Sequence, residues 1–245
     1  MELLKVDQLA KSFGSKQAVR GVSFSVPAGQ AVAVLGPNGA GKSTTMRMIA
    51  GYLEPDAGDA AINGQSILTR RTAAQMALGY LAEGAPLYLD LSARAFLEFL
   101  ARTHGLSKAA TRAAIARVAA DARIEDVLNR PIETLSKGYR RRVALAGAIV
   151  HDPPVLILDE PTDGLDPNQK RAMRALIARM TAEKAILIST HQLDEVEAMC
   201  SRVLVIAEGR LVADASPFDL SARAPSGRLE EAFHALTKPA TEATA

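Results

Sequence analysis

Short apolar runs separated by turn residues mark the first sixty positions of the chain. Leu3 to Leu9 and Val19 to Val26 read as strands; Pro27-Ala28-Gly29 reads as a turn, and Gln30 to Leu35 as a third strand. A glycine-rich turn follows, and Thr44 to Gly51 reads as a helix stopped by its glycine. Between Ser92 and about Asn129 the period changes. Phe96, Leu97 and Leu100, then Ile115, Val118 and Ala122, recur at helical spacing in an Ala-, Arg- and Leu-rich background, which predicts a helical insertion. From Val155 the β/α alternation resumes. A strand to Leu158, a helix from about Asn168 to Thr181, a strand over Ala185 to Ser189, a short helix over Asp194 to Met199 and a strand over Val203 to Ile206 are expected. Strands alternating with helices of this length imply an α/β fold with a mostly parallel sheet and crossover helices. Thr237 to Ala245, rich in Thr, Ala, Pro and Glu, is expected to be a disordered tail.

Composition narrows the function classes. With 245 residues, 48% hydrophobic and 23% charged, the chain can bury a sizeable core. Its 29 Lys and Arg against 27 Asp and Glu leave no basic excess for duplex DNA, and 4% aromatic content with no Trp argues against serial base stacking. No nucleic-acid partner is expected. A single cysteine, Cys200, excludes an internal disulfide framework and a zinc site built on cysteines, and suits a reducing compartment. The N-terminus carries acids and no long apolar stretch, which argues against a signal peptide. The longest apolar run, Val143 to Val150, is far short of the roughly 18 residues of a membrane span, so none is expected.

Two segments carry chemistry. Gly36-Pro37-Asn38-Gly39-Ala40-Gly41-Lys42-Ser43, followed by Thr44, fits GxxxxGK[ST] between an apolar strand and a helix, which is the setting of a P-loop. Glycines let the backbone turn its N–H groups onto phosphate oxygens, and the helix N-terminus adds positive potential. Lys42 is placed to reach the β- and γ-phosphates of ATP, and Ser43 to give its hydroxyl to Mg²⁺. Val155-Leu156-Ile157-Leu158-Asp159-Glu160 is an aliphatic strand ending in two acids. Asp159 is placed to help hold Mg²⁺, and Glu160 to polarise an attacking water as general base.

A P-loop alone leaves kinases, GTPases and helicases open. Three further segments resemble ATP-binding-cassette (ABC) ATPases. Leu135-Ser136-Lys137-Gly138-Tyr139 resembles the LSGGQ signature, Gly164-Leu165-Asp166-Pro167 the D-loop, and Ser189-Thr190-His191 the H-switch. Phe13 stands where that family places its adenine-stacking aromatic, and the resemblance covers residues 1 to about 215. It implies a P-loop NTPase core with an N-terminal antiparallel β subdomain over about 1–90 and 150–215, and a helical signature subdomain over about 91–149, within one nucleotide-binding domain spanning 1–236. It implies that Ser136 and Gly138 contact ATP on a second copy of the chain in a head-to-tail dimer, and that His191 contacts the γ-phosphate. Two departures stand out. Lys137 and Tyr139 replace Gly and Gln of the signature, and Glu83 replaces the Q-loop glutamine as a ligand toward Mg²⁺, as in some exporter-type members. His104, His151 and His234 receive no role.

Leu87, Tyr88 and Leu89 fall beside the groove where the family receives a membrane subunit, yet equally suit packing of the helical insertion. Leu229 to Thr237 resembles the ending of ATPase subunits from type-2 multidrug, gliding-associated and copper-maturation exporters. The resemblance therefore implies the ATPase subunit of an exporter, working with a separate transmembrane permease and lying in the cytoplasm on the inner face of the cell membrane. A soluble ABC ATPase serving a non-membrane assembly, such as iron–sulfur cluster assembly, is the alternative. The Arg140-Arg141-Arg142 run reads as a solvated or phosphate-neighbouring helix face.

Overall fold

The computed structural model describes residues 2–84 and 86–238; Ala85 and 239–245, most of the expected tail, lie outside the described residues. In chain order the elements begin with β1 (Glu2–Phe13), β2 (Lys16–Pro27), β3 (Gln30–Leu35), α1 (Lys42–Ile49), β4 (Ala57–Ile62), β5 (Gln65–Ser66), α2 (Arg71–Met76) and β6 (Leu78–Leu81). Three helices follow, α3 (Ala93–Thr103), α4 (Lys108–Ala122) and α5 (Lys137–Ile149). The chain then runs through β7 (Val155–Asp159), α6 (Pro167–Thr181), β8 (Ala185–Ser189), α7 (Leu193–Met199), β9 (Arg202–Ala207), β10 (Arg210–Ala215), α8 (Pro217–Ser221) and α9 (Leu229–Thr237).

Two sheets result. The first is antiparallel, in the order β2-β1-β4-β5. Along β1, Leu4 and Val6 are buried while Lys5 and Asp7 are exposed, the alternation of a sheet with one wet face, and a register irregularity between Val6 and Leu9 returns Leu9 to the buried side. Its inner face packs on Met46, Met48 and Ile49 of α1 and on Val32 and Val34 of β3.

The second sheet has the order β10-β9-β3-β8-β7-β6, parallel throughout except for β10. Every residue of β7 and β8 is buried, which explains their unbroken aliphatic sequences. The period of two divides them between faces: Ile157 and Leu187 join the α1 side, whereas Leu156, Leu158, Ile186 and Ile188 join the core shared with the helices. Val34 of β3 and Asp159 of β7 both pair with Ser189 of β8. The C-terminal ends of three strands thus lie side by side, where open α/β sheets bind ligands.

Between β6 and β7 the chain leaves the sheet for α3, α4 and α5. Each starts at a serine whose hydroxyl accepts from the amide three residues on: Ser92 from Ala95, Ser107 from Ala110 and Ser136 from Tyr139. Gly147 lets α5 approach α3 closely; a Cβ there would lie 2.7 Å from Leu100 and 2.9 Å from Phe96. The last residue of α9, Thr237, donates its hydroxyl to Phe233 O at 2.9 Å. Cys200, the residue after α7, is buried. Among the described residues no helix is long and apolar enough to cross a membrane.

Candidate functional site: a phosphate loop beside a carboxylate edge

The loop from Gly36 to Gly41 joins β3 to α1, and two of its glycines are sterically required. A Cβ on Gly36 would sit 2.2 Å from Ile206 O; one on Gly41, at φ +108°, would sit 2.4 Å from Ala18 O. Backbone bonds brace the turn, from Ala40 N to Pro37 O at 3.2 Å and from Gly209 N to Ala40 O at 2.9 Å. The Thr45 hydroxyl donates to Gly41 O at 2.9 Å. Lys42 Nζ donates to Gly36 O at 2.7 Å and Pro37 O at 3.2 Å, which holds the ammonium across the loop. Burial pushes the Lys42 pKa down, opposed by the charges of Glu160, Asp159 and Glu83. A cavity of about 250 Å³ opens between Phe13 and Lys16 on one side and the loop from Asn38 to Thr44 on the other. Phe13 is half exposed there, at the end of β1, with an aromatic face free to stack.

Asp159 is the last residue of β7 and is buried. Burial raises its pKa, a hydrogen bond with Ser189 opposes that rise, and the charge of Glu83 adds to it. Glu160 follows with φ +49°, a left-handed conformation uncommon outside glycine, and its amide donates to Ser189 O at 2.8 Å. This sharp turn carries its carboxylate to His191, whose Nδ1 lies 2.9 Å from Glu160 Oε1. Glu160 Oε2 is buried without a protein partner, and burial raises the carboxyl pKa despite the His191 contact. The His191 imidazole itself is 68% exposed. With Nδ1–H donating to Glu160, Nε2 of a neutral ring can only accept, and the imidazolium donates from both nitrogens.

Ser136 and Gly138 do not line the cavity beside the P-loop. They sit at the start of α5, with Ser136 as cap and Gly138 packed on α6, where a Cβ would lie 2.4 Å from Gln169 Oε1. The two unusual signature residues are both anchored. Lys137 pairs with Asp163 at 2.9 Å; Tyr139 donates to Asp126 at 2.6 Å and lies under the Arg142 guanidinium, 4.1 Å from its ring centroid. Asp166 caps α6, accepting from Gln169 N at 2.9 Å.

Arg141 alone of the arginine run departs from the expected solvated face, Arg140 and Arg142 being partly exposed. Arg140 donates to Ile132 O and Glu133 O, and Arg142 donates to Arg123 O. Arg141 is buried and is not on a solvated face. Its Nη2 donates to Asp159 O and, at 2.5 Å, to Glu160 O, while Nη1 donates to Ala82 O at 3.0 Å. One guanidinium thus ties the end of β7 to the residue preceding Glu83. The signal was present in the sequence: Gly138, Arg141, Leu145 and Ala148 are spaced as one helix face, and all four are buried.

A second, larger groove of about 940 Å³ runs from Asp159 and Glu83 between Tyr52 and Met76 on one wall and Leu87, Tyr88 and Phe96 on the other. Leu87 packs on the core, whereas Tyr88 and Leu89 are half exposed. Tyr88 meets Phe99 edge-on, with centroids 5.7 Å apart. The segment therefore serves both as packing and as a groove rim. His104 and His151 also line this groove and stack with centroids 3.5 Å apart, and His151 Nε2 lies 3.1 Å from Leu78 O.

Comparison with known proteins bears on this arrangement. Residues 19–163 match a family model described as ABC transporter. The chain is 41% identical over 214 residues to the Nod factor export ATP-binding protein I of Burkholderia orbicola (strain AU 1054), covering 86% of this chain and 69% of that protein. It is 34% identical over 237 residues to the probable multidrug ABC transporter ATP-binding protein YbhF of Escherichia coli (strain K12), covering 94% of this chain but 41% of that protein. Among solved structures, an ATP-binding subunit of an ABC transporter matches with a TM-score of 0.89 at 32% identity, covering 96% of this chain and 100% of that one.

Proposed function

The chain belongs to the ABC transporter family as an ATP-hydrolysing ATP-binding subunit, and on that premise we propose that it powers an exporter, with Glu160 activating the attacking water. The observation that carries the assignment of the base is the placement of Glu160. A left-handed turn at the end of β7 brings its partly desolvated carboxylate beside His191, on the same sheet edge as the phosphate loop. The raised pKa suits a base that must accept a proton, and His191 fixes the carboxylate's direction. The exposed His191 ring would contact the γ-phosphate of bound ATP.

Loop amides from Asn38 to Thr44 and the Lys42 ammonium hold the phosphates, and Phe13 stacks on the adenine. Ser43, Asp159 and Glu83 supply an all-oxygen donor set, which fits Mg²⁺. The charge of Glu83 is among the causes that lift Asp159, and that crowding is what a divalent cation relieves. When bound, the metal supplies charge neutralisation across the phosphates. Ser136 and Gly138, lying away from this chain's own phosphate cavity, serve the ATP of a second copy in a head-to-tail dimer.

The relatives named for export and for multidrug transport support the exporter reading. The groove lined by Leu87 and Tyr88 suits a helix of a transmembrane permease, which would hold the chain on the inner face of the membrane. The test uses Glu160→Gln. ATP binding persists, hydrolysis falls by on the order of 10²-fold or more, and the variant purified with Mg-ATP from native membranes brings a multi-span membrane protein with it. Full turnover removes Glu160 as the base. Recovery of soluble partners alone replaces the exporter with a non-membrane assembly.

A further inference from the structure

Behind the carboxylate edge lies a cluster of charge that hydrolysis itself does not use. Glu195, on α7, has no exposed surface, and neither does Thr162. The Thr162 hydroxyl donates to Glu195 Oε2. Lys170 Nζ and Arg174 Nη2, both on α6, stand 3.4 and 3.6 Å from Glu195 Oε1, at ion-pair distance but without hydrogen-bond alignment. The same Lys170 ammonium donates to Gln192 Oε1 at 2.5 Å, and Gln192 N donates to Thr190 Oγ1 at 3.1 Å.

The positions of these partners in the chain give the cluster its meaning. Thr162 lies two residues beyond Glu160, and Gln192 follows His191 directly. Both segments that present the Glu160–His191 pair are thus tied to one buried hub. A buried carboxylate is costly to desolvate, and an apolar residue would fill the space at less cost. A carboxylate kept here constrains geometry in a way that packing alone does not.

We propose that Glu195 is a positioning residue for ATP hydrolysis. Through Thr162 it holds the chain leaving Glu160, and through Lys170 and Gln192 it holds the chain leaving His191, which sets the spacing of that pair. Glu195 touches neither side chain and acts through the backbone. The inference rests on the reading of Glu160 and His191 given above.

The test is steady-state ATP turnover by the full chain carrying Glu195→Gln, Thr162→Val or Thr162→Ser, with a melting curve for each. Misplacing reacting groups by about 1 Å costs about 10²-fold. Glu195→Gln and Thr162→Val should each lower kcat by about that factor while the KM for ATP changes by less than about twofold. Thr162→Ser, which keeps the hydroxyl, should restore most of the rate. In a His191→Ala background, Thr162→Val should cost clearly less than in the parent chain, because the spacing it sets has lost one of its two members. Unchanged turnover in folded Thr162→Val, or losses that multiply fully across His191→Ala, overturns the proposal. Should Glu195→Gln fail to fold, Thr162→Val and its serine control carry the test. A fully active Glu160→Gln would instead sink the parent reading; an inactive Glu160→Gln with an active Thr162→Val sinks only this one.

Discussion

Replacing Arg141 with methionine removes the strap between the carboxylate edge and the chain before Glu83 while filling the same space with an apolar side chain. Three carbonyls, those of Ala82, Asp159 and Glu160, lose a charged donor. At roughly 1 kcal/mol net per bond the loss is about 3 kcal/mol. Two features trim it. Glu160 O still accepts from Asp163 N at 3.1 Å, and the buried guanidinium Nε, which has no partner, no longer needs desolvating. A net of about 2–3 kcal/mol remains. For a chain of this size, each kcal/mol shifts the melting temperature by about 2–4 °C, so a fall of about 4–12 °C is expected. Calorimetry on the nucleotide-free chain measures it. Arg141→Lys should fall between, since one ammonium cannot span all three acceptors with the geometry of the guanidinium fork. A melting temperature within 2 °C of the parent for Arg141→Met refutes the strap, by the same scaling of about 2–4 °C per kcal/mol.

Lys42→Ala should weaken ATP binding itself, because the loop loses its only cation for the phosphates; unchanged affinity in a nucleotide titration would count against the phosphate-loop assignment. Burial lifts the carboxyl pKa values of Asp159 and Glu160 above the ordinary range, so the native chain holds these protons more tightly than the unfolded one. The stability this gives is present in acid and is lost as pH rises from the ordinary carboxylate range through the raised values. Glu160→Gln should therefore raise the melting temperature of the nucleotide-free chain near neutral pH, and the gain should vanish at acid pH; a gain that is constant with pH contradicts the linkage.

The parts of the site that were legible in the sequence are those whose chemistry is local. The phosphate loop needs glycines at fixed offsets between a strand and a helix, and β7 needs aliphatic residues because both its faces are buried, so both segments read directly. The edges of elements were less legible. Helix α1 starts at Lys42 and not Thr44, because left-handed Gly41 opens it without any side-chain cap. Strand β4 was missed: Ala57-Gly58-Asp59-Ala60-Ala61-Ile62 has weak β preference, and it is a strand because it pairs with β1, Leu4 opposite Ile62. Glu195 reads as an ordinary acid in the first turn of a short helix. Its burial comes from α6 packing across it, a tertiary fact that no local pattern in α7 carries. Arg141 was hidden by its neighbours, since three consecutive arginines suggest a wet face unless the helical spacing is read one position at a time.

The single thiol has a practical consequence for following motion in this molecule. Cys200 is shielded behind α7, and burial pushes its pKa up to about 12, so the nucleophilic thiolate is scarce at neutral pH. Maleimide dyes or spin labels should therefore pass it by. A cysteine introduced at an exposed position such as Leu89 or Phe218 becomes the one reactive handle on the native background. Distances between such probes on two copies would then test the proposed head-to-tail pairing and its response to ATP, without first stripping the chain of its own sulfur.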